Sequence, residues 1–210
     1  MLTEKTCRDF TAALAANQPV PGGGGASAMV GALAAALCAM AGNYTVGKKK
    51  YADVEEDVRE MLTECEELRL RLLNLVEADA DAFEPLSKAY SIPKDDPERE
   101  DKLEEATLNA IKAPLAMMDA CADVIELLDE MLEKCNHMMI SDVACGAILA
   151  GAAMKAASLN VYVNTRTLRD RLKASEYEMT ADRLLEDYLP MAEVISEEVI
   201  GEFRDTEPEQ

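Results

Sequence analysis

Between Phe10 and Gly47 the chain carries no Asp, Glu, Lys or Arg, although its formal net charge is −20 and 30% of its residues are charged. A stretch that free of charge inside so acidic a chain has to be enclosed by something. Its length raises the question of a membrane span. Its content argues otherwise. The first part is a loop with two prolines and four glycines, and the rest is mostly Ala interrupted by Ser27, Asn43 and Thr45, which is weakly hydrophobic for lipid. A buried central helix of a soluble bundle fits better. Met1 to Gln18 holds acidic residues and no apolar core, so no secretory signal is read there and a cytoplasmic location is expected.

The apolar content is Ala, Leu, Met and Val, with three Phe and no Trp, which favours close helix–helix packing. Apolar residues recur at helical spacing, and no stretch sustains strand alternation. The periodicity predicts an all-α bundle of about six helices around two small-residue-rich central helices. The expected helices run from about Thr3 to Asn17, Ala26 to Lys48, Asp53 to Tyr90, Pro97 to Lys134, Ser141 to Leu172 and Ser175 to Phe203. Capping boxes are expected at Asp53–Glu56 and Ser175–Glu178, and bends at Pro114 and Pro190. Residues 1–203 form one domain in this reading, and 204–210 a disordered tail. The second helix is nearly charge-free, and the fifth, from Met138 to Thr165, holds only Asp142 and Lys155. Helices apolar all round must be buried on every side, so part of their cover is expected from a second subunit, as a homodimer. The acid excess disfavours a nucleic-acid partner and an anionic membrane surface. The six cysteines form no C-x-x-C pair and are expected as buried free thiols. His137 is the only histidine, and with Cys135 it makes a poor zinc site, so no metal is expected.

Several polar residues do not belong in a core. Gly22 to Gly25 permit positive φ and close approach to the main chain, and a helix beginning there offers unpaired N–H groups to an anionic or carbonyl-bearing ligand. On a helical wheel Asp79 falls within the apolar arc of Leu68, Leu72, Val76, Phe83, Leu86 and Tyr90, while Glu77 and Asp81 fall opposite, as ordinary surface acids. Burial raises a carboxylate's pKa and suits it to proton donation near neutral pH; a structural carboxylate bonded to a nearby backbone group or lysine is the alternative. Asn160 and Asn164 share a face of the fifth helix and either read a planar heterocycle or satisfy each other or a facing helix. Ser141 and Asp142 sit where a helix begins, so capping alone accounts for them as well as a ligand does. Lys48, Lys49 and Lys50 either grip a ligand or complement a helix dipole.

Taken together, Pro21-Gly22-Gly23-Gly24-x-x-Ser27, Gly47-Lys48-Lys49-Lys50-Tyr51, Asp79-Ala80-Asp81-Ala82-Phe83, Asn136 with Ser141-Asp142, and Asn160-x-x-x-Asn164 resemble the cyclodeaminase domain of formimidoyltransferase-cyclodeaminase and the related standalone methenyltetrahydrofolate cyclohydrolases. The pieces come in that family's order across about residues 5–200. The resemblance implies an all-helical dimer with folate in a cleft lined by the glycine segment. It implies a catalytic acid in the Asp-Ala-x-Ala-Phe motif, here Asp79 or Asp81, and the wheel selects Asp79. Pro21, Gly22, Gly23, Gly24, Gly25, Ser27, Asn43, Asp142, Asn160 and Asn164 are the expected folate-binding residues, with Lys48 to Lys50 meeting the glutamate carboxylates. Lys155 matches nothing in the family pattern. The expected activity is 5-formimidoyltetrahydrofolate cyclodeaminase, with 5,10-methenyltetrahydrofolate cyclohydrolase as the alternative. Neither reaction needs a cofactor beyond the folate substrate, which a separate transferase or the free pool supplies. A non-catalytic helical binding or scaffold protein is the reading of another class; Asp79, Asn160 and Asn164 in apolar surroundings disfavour it.

Overall fold

The computed structural model describes residues 1–205, which contain six α-helices and two short 3-10 turns. They are α1 (Cys7–Ala15), α2 (Gly23–Asn43), α3 (Glu55–Tyr90), α4 (Arg99–Lys134), α5 (Ile140–Thr165) and α6 (Arg171–Asp205), with 3-10 turns at Lys49–Val54 and His137–Met139. α6 includes Arg204 and Asp205, two residues into the stretch expected to be disordered; the rest of that expected tail, 206–210, lies outside the described residues.

α3, α2, α5 and α6 stand side by side in that order as an arc, and α4 packs against all four from inside it. α4 accordingly buries the bulkiest side chains, with Ile111, Met117, Met118, Ile125, Leu128 and Met131 fully enclosed. α2 and α5 occupy the middle of the arc. They are close because small residues face each other: a Cβ on Gly146 of α5 would lie 2.8 Å from Leu128 of α4 and 3.4 Å from the carbonyl of Ala34 in α2. The two run antiparallel, since Gly23 adjoins Asn160 at one end and Thr45 bonds Asn136 at the other.

The cover over α2 and α5 is one-sided. Both helices are long and apolar enough to cross a bilayer, yet 56% of the most apolar window of each is buried within the chain. The remainder is an outward stripe at helical spacing, carrying Leu33 and Met40 on α2 and Ile148, Leu159 and Val163 on α5, all exposed. Cys145 lies on the same stripe and, like Cys7, is exposed, whereas Cys38, Cys65, Cys121 and Cys135 are buried as expected of free thiols.

Several helix ends differ from the sequence-based expectation, each through a local hydrogen bond. α2 stops at Asn43 rather than Lys48: Thr45 turns its hydroxyl back to the Ala41 carbonyl (2.8 Å), and Gly47 adopts φ +78°, a left-handed conformation that ends helices. The expected Asp53–Glu56 capping box does not form; Val54 precedes α3, and Glu55 instead accepts from the Gly47 N–H (3.3 Å). α5 ends at Thr165, where Thr167 donates to the Asn164 carbonyl (2.8 Å). α6 then starts at Arg171, not Ser175, because the Asp170 carboxylate accepts from the N–H groups of Leu172 and Lys173. α4 continues through Pro114 and α6 through Pro190.

Candidate functional site

The glycine segment and Asp79 meet. Gly22 is the residue before α2, and it has no side chain with which to accept the helix's first free N–H groups. The Asp79 carboxylate of α3 lies over this turn instead, against Gly24 and facing the Gly25 N–H. Asp79 is half-buried beside fully buried Val76, as the wheel requires. Burial pushes its pKa above the ordinary carboxylate value, and the Gly25 N–H pulls partly the other way. Asp81 is exposed on another side of the helix, where it lines a cleft of about 330 Å³ with Pro19, Val20 and Phe83. Glu77 is not an ordinary surface acid. It is half-buried and accepts from both the backbone N–H (2.9 Å) and the hydroxyl (3.2 Å) of Thr3, tying the N-terminal segment to α3.

Asn160 completes this end of the molecule. A Cβ on Gly23 would lie 3.5 Å from its Oδ1, so the amide borders the opening of α2. The Nδ2 of Asn160 donates to the Ala156 carbonyl (3.1 Å), and that of Asn164 to the Asn160 carbonyl (2.8 Å). The two amides therefore satisfy their donors along α5 itself rather than through each other's side chains. Pro21 is buried against Gly25. Ser27 is buried one turn into α2 and donates its hydroxyl to the Gly23 carbonyl (2.7 Å), bracing the helix start. None of Gly22 to Gly25 has positive φ; among the described residues Gly47 alone does. Close approach, not backbone handedness, is what the structure shows, and it is confined to Gly24.

The remaining expected site residues lie elsewhere. α2 has 21 residues, so its two ends are about 30 Å apart. Asn43 closes its far end, exposed, with its amide on the Ala39 carbonyl (2.9 Å). Lys48, Lys49 and Lys50 follow beyond the helix, all exposed, so they do not complement its last turn. The Lys48 ammonium lies 6.0 Å from the Tyr44 ring centroid and that of Lys50 5.3 Å from Tyr51. Asp142 is half-buried in the first turn of α5, at the same far end. A polar network that sequence spacing does not reveal holds this end together. The Asn136 N–H donates to Thr45 Oγ1 (2.7 Å), its side-chain oxygen accepts from the Tyr51 hydroxyl (3.4 Å), and the His137 N–H donates to that hydroxyl (3.2 Å). Tyr51 stood in the sequence beside the lysines, but only the fold reveals its partner, 85 residues away. Lys155 is exposed on the outward stripe of α5, one turn from Ala152 and Leu159.

The chain thus has two polar clusters, one at each end of the α2–α5 pair. The first, with Asp79, Gly22–Gly25 and Asn160, offers a half-buried proton carrier beside exposed backbone. The second, with Lys48–Lys50, offers cations over aromatic rings.

The sequence model of the formiminotransferase-cyclodeaminase family matches residues 6–183. The chain is 39% identical over 203 residues to the methenyltetrahydrofolate cyclohydrolase of Methylorubrum extorquens, spanning 95% of this chain and 98% of that one. It is 28% identical to the formimidoyltransferase-cyclodeaminase of Sus scrofa over 92% of its own length but only 37% of that protein's. The crystal structure of formiminotetrahydrofolate cyclodeaminase from Thermotoga maritima superposes with a TM-score of 0.84 at 28% identity, over 95% of this chain and 100% of that one. With most of its length matched by the family model and a relative of 39% identity aligned end to end, this chain belongs to the formiminotransferase-cyclodeaminase family.

Proposed function

We propose that the chain is a folate one-carbon enzyme, a 5,10-methenyltetrahydrofolate cyclohydrolase in which Asp79 carries the proton. The observation that carries this reading is the half-buried Asp79 carboxylate seated on the opening turn of α2, with its pKa raised by burial. The end-to-end relative at 39% identity supports hydrolysis over deamination. In the reaction water adds to the methenyl carbon, and Asp79 accepts a water proton as the C–O bond forms. The C–N5 bond of the tetrahedral adduct then breaks, Asp79 returns its proton to N5, and the N10-formyl product leaves; the second water proton goes to solvent. Such general acid–base assistance contributes about 10²–10⁴-fold in rate.

The second reading is 5-formimidoyltetrahydrofolate cyclodeamination, favoured by the likeness to the Thermotoga maritima structure. There N10 attacks the formimidoyl carbon, and Asp79 protonates the departing nitrogen so that ammonia leaves.

The working unit in this reading is a homodimer. The outward stripe of α2 and α5 is apolar in a chain of net charge −20, and a second copy of the same stripe is its occupant. Lys48 to Lys50 stand too far from Gly23 to grip the same monoglutamate folate within one chain. A two-fold axis across the middle of α2 sets the lysines of one protomer beside the glycine end of its partner, where they meet the glutamate carboxylates.

The test uses purified protein with each substrate separately. Loss of methenyl absorbance above the spontaneous rate supports hydrolysis. Gain of methenyl absorbance with equimolar ammonia from the formimidoyl substrate supports deamination. No turnover of either substrate restores the scaffold reading.

A further inference from the structure

We propose that Gly24 is a positioning residue, kept without a side chain so that the Asp79 carboxylate can seat on the first turn of α2 and accept the Gly25 N–H. The inference rests on the reading of Asp79 as the proton carrier, and it assigns the close approach implied by the glycine run to the protein's own carboxylate rather than to a ligand.

Geometry separates the four glycines. A Cβ on Gly24 would fall 2.5 Å from the Asp79 carboxyl carbon, inside the 3.0 Å that real Cβ contacts respect. A Cβ on Gly22 would approach nothing nearer than the Pro19 carbonyl at 3.9 Å. On Gly23 it would lie 3.5 Å from the Asn160 amide, and on Gly25 3.5 Å from Pro21 and 3.6 Å from Val76, which are ordinary contacts. One position in the run therefore excludes a methyl group by space, and the atoms it protects are those of the reacting carboxylate.

Asp79 leaves α3 between buried Val76 and buried Ala82, and the clash falls on its carboxylate, so a Gly24 methyl is accommodated only by moving that carboxylate away from the opening turn of α2. The opening turn of α2 would lose the carboxylate that faces it, and Gly22 offers no side chain in its place. Helix propensity points the other way: Ala is intrinsically better than Gly inside a helix, so a loss at this position is not a propensity effect.

The test compares Gly23→Ala, Gly24→Ala and Gly25→Ala with Asp79→Asn. In Gly24→Ala, kcat is expected to fall at least tenfold with KM changed less than threefold, and the pH profile limb that belongs to Asp79 to move by half a pH unit or more. Gly23→Ala and Gly25→Ala are expected to keep that limb in place. A Gly24→Ala profile coincident with theirs overturns the inference. A readout that needs no Gly24 variant uses the wild-type chain with labelled Asp and amide groups. The Gly25 amide proton should titrate with the same midpoint as the Asp79 carboxyl carbon, and this titration should vanish in Asp79→Asn. A Gly25 amide that ignores the Asp79 titration overturns the inference even where Gly24→Ala does not fold. Full turnover by Asp79→Asn removes Asp79 from the mechanism, whereas an inactive Asp79→Asn with an unaffected Gly24→Ala removes Gly24 alone.

Discussion

Replacing Leu33 with Asp tests the two-fold arrangement most directly. Leu33 lies near the middle of α2 and is 52% exposed in the single chain. An axis that places Lys48–Lys50 of one protomer beside the glycine end of the other passes close to this residue, so it meets its own copy. Fully burying a leucine side chain is worth about 1.5–3 kcal/mol. Half of that remains to be gained on association, about 0.8–1.5 kcal/mol per copy, and the symmetry doubles it to about 1.5–3 kcal/mol per dimer. Leu33→Ala should therefore weaken association by roughly 10- to 150-fold, at 1.4 kcal/mol per decade. Leu33→Asp adds two carboxylates desolvated near one axis, a penalty of several kcal/mol per ion, and should weaken it by more than about 10³-fold. Its cost to the isolated helix is at most about 0.7 kcal/mol, so the fold survives. Sedimentation equilibrium across a wide concentration range measures both values, with circular dichroism reporting helicity. Turnover should fall with the dimer fraction, because in the proposed two-fold arrangement Lys48–Lys50 reach the folate bound by the partner. A wild-type chain that is monomeric at tens of micromolar, or a Leu33→Asp chain that associates as tightly as wild type, refutes the reasoning.

Three further outcomes follow from the two polar clusters. Asp79→Asn should lower kcat by about 10²–10⁴-fold while folate binding, followed by fluorescence quenching or calorimetry, survives. Because burial raises the folded pKa of Asp79, the folded state keeps its proton where the unfolded chain has lost it; stability therefore falls as pH rises from the unfolded value through the folded one and stays lower above it. Asp79→Asn should flatten that part of the thermal stability curve and leave Tm at pH 7 no lower than wild type; a Tm several degrees lower would mean that the carboxylate stabilises the fold at neutral pH. Changing Lys48, Lys49 and Lys50 together to Gln should raise KM with kcat held within about twofold, and more so for substrates carrying extra glutamates; equal KM values would remove the lysines from binding.

What the sequence made legible is what repeats along one helix. The wheel placed Asp79 correctly because the α3 periodicity runs unbroken through Leu68, Leu72, Val76 and Leu86, all buried. It could not show which element faces that arc, so Gly24 and Asp79 were read as parts of one site without being recognised as touching each other. Glu77 was misjudged for the same reason: its partner, Thr3, is 74 residues away. Helix ends were misplaced where a single side chain decides them, as with Thr45 at the end of α2 and Asp170 before α6. The distance between the glycines and the lysines was available from the outset. At about 1.5 Å per residue a helix of this length holds its ends too far apart to grip one small ligand, and only the expectation of a shared cleft obscured it.

The outward stripe on α2 and α5 has a further consequence for how copies of this chain meet. Its charges are concentrated on α3, α4 and α6, while α2 has none and α5 has two. At a net charge of −20, two molecules approaching through most orientations repel one another once they come within the screening length of about 8 Å at physiological ionic strength. Approach stripe to stripe meets the least of that repulsion. For the proposed dimer the acidic surface acts as a filter on collisions, turning away mismatched encounters before contact and leaving the stripe, whose one exposed charge is Lys155, as the easiest approach. Orientation is selected at long range by charge, before any apolar atom is buried.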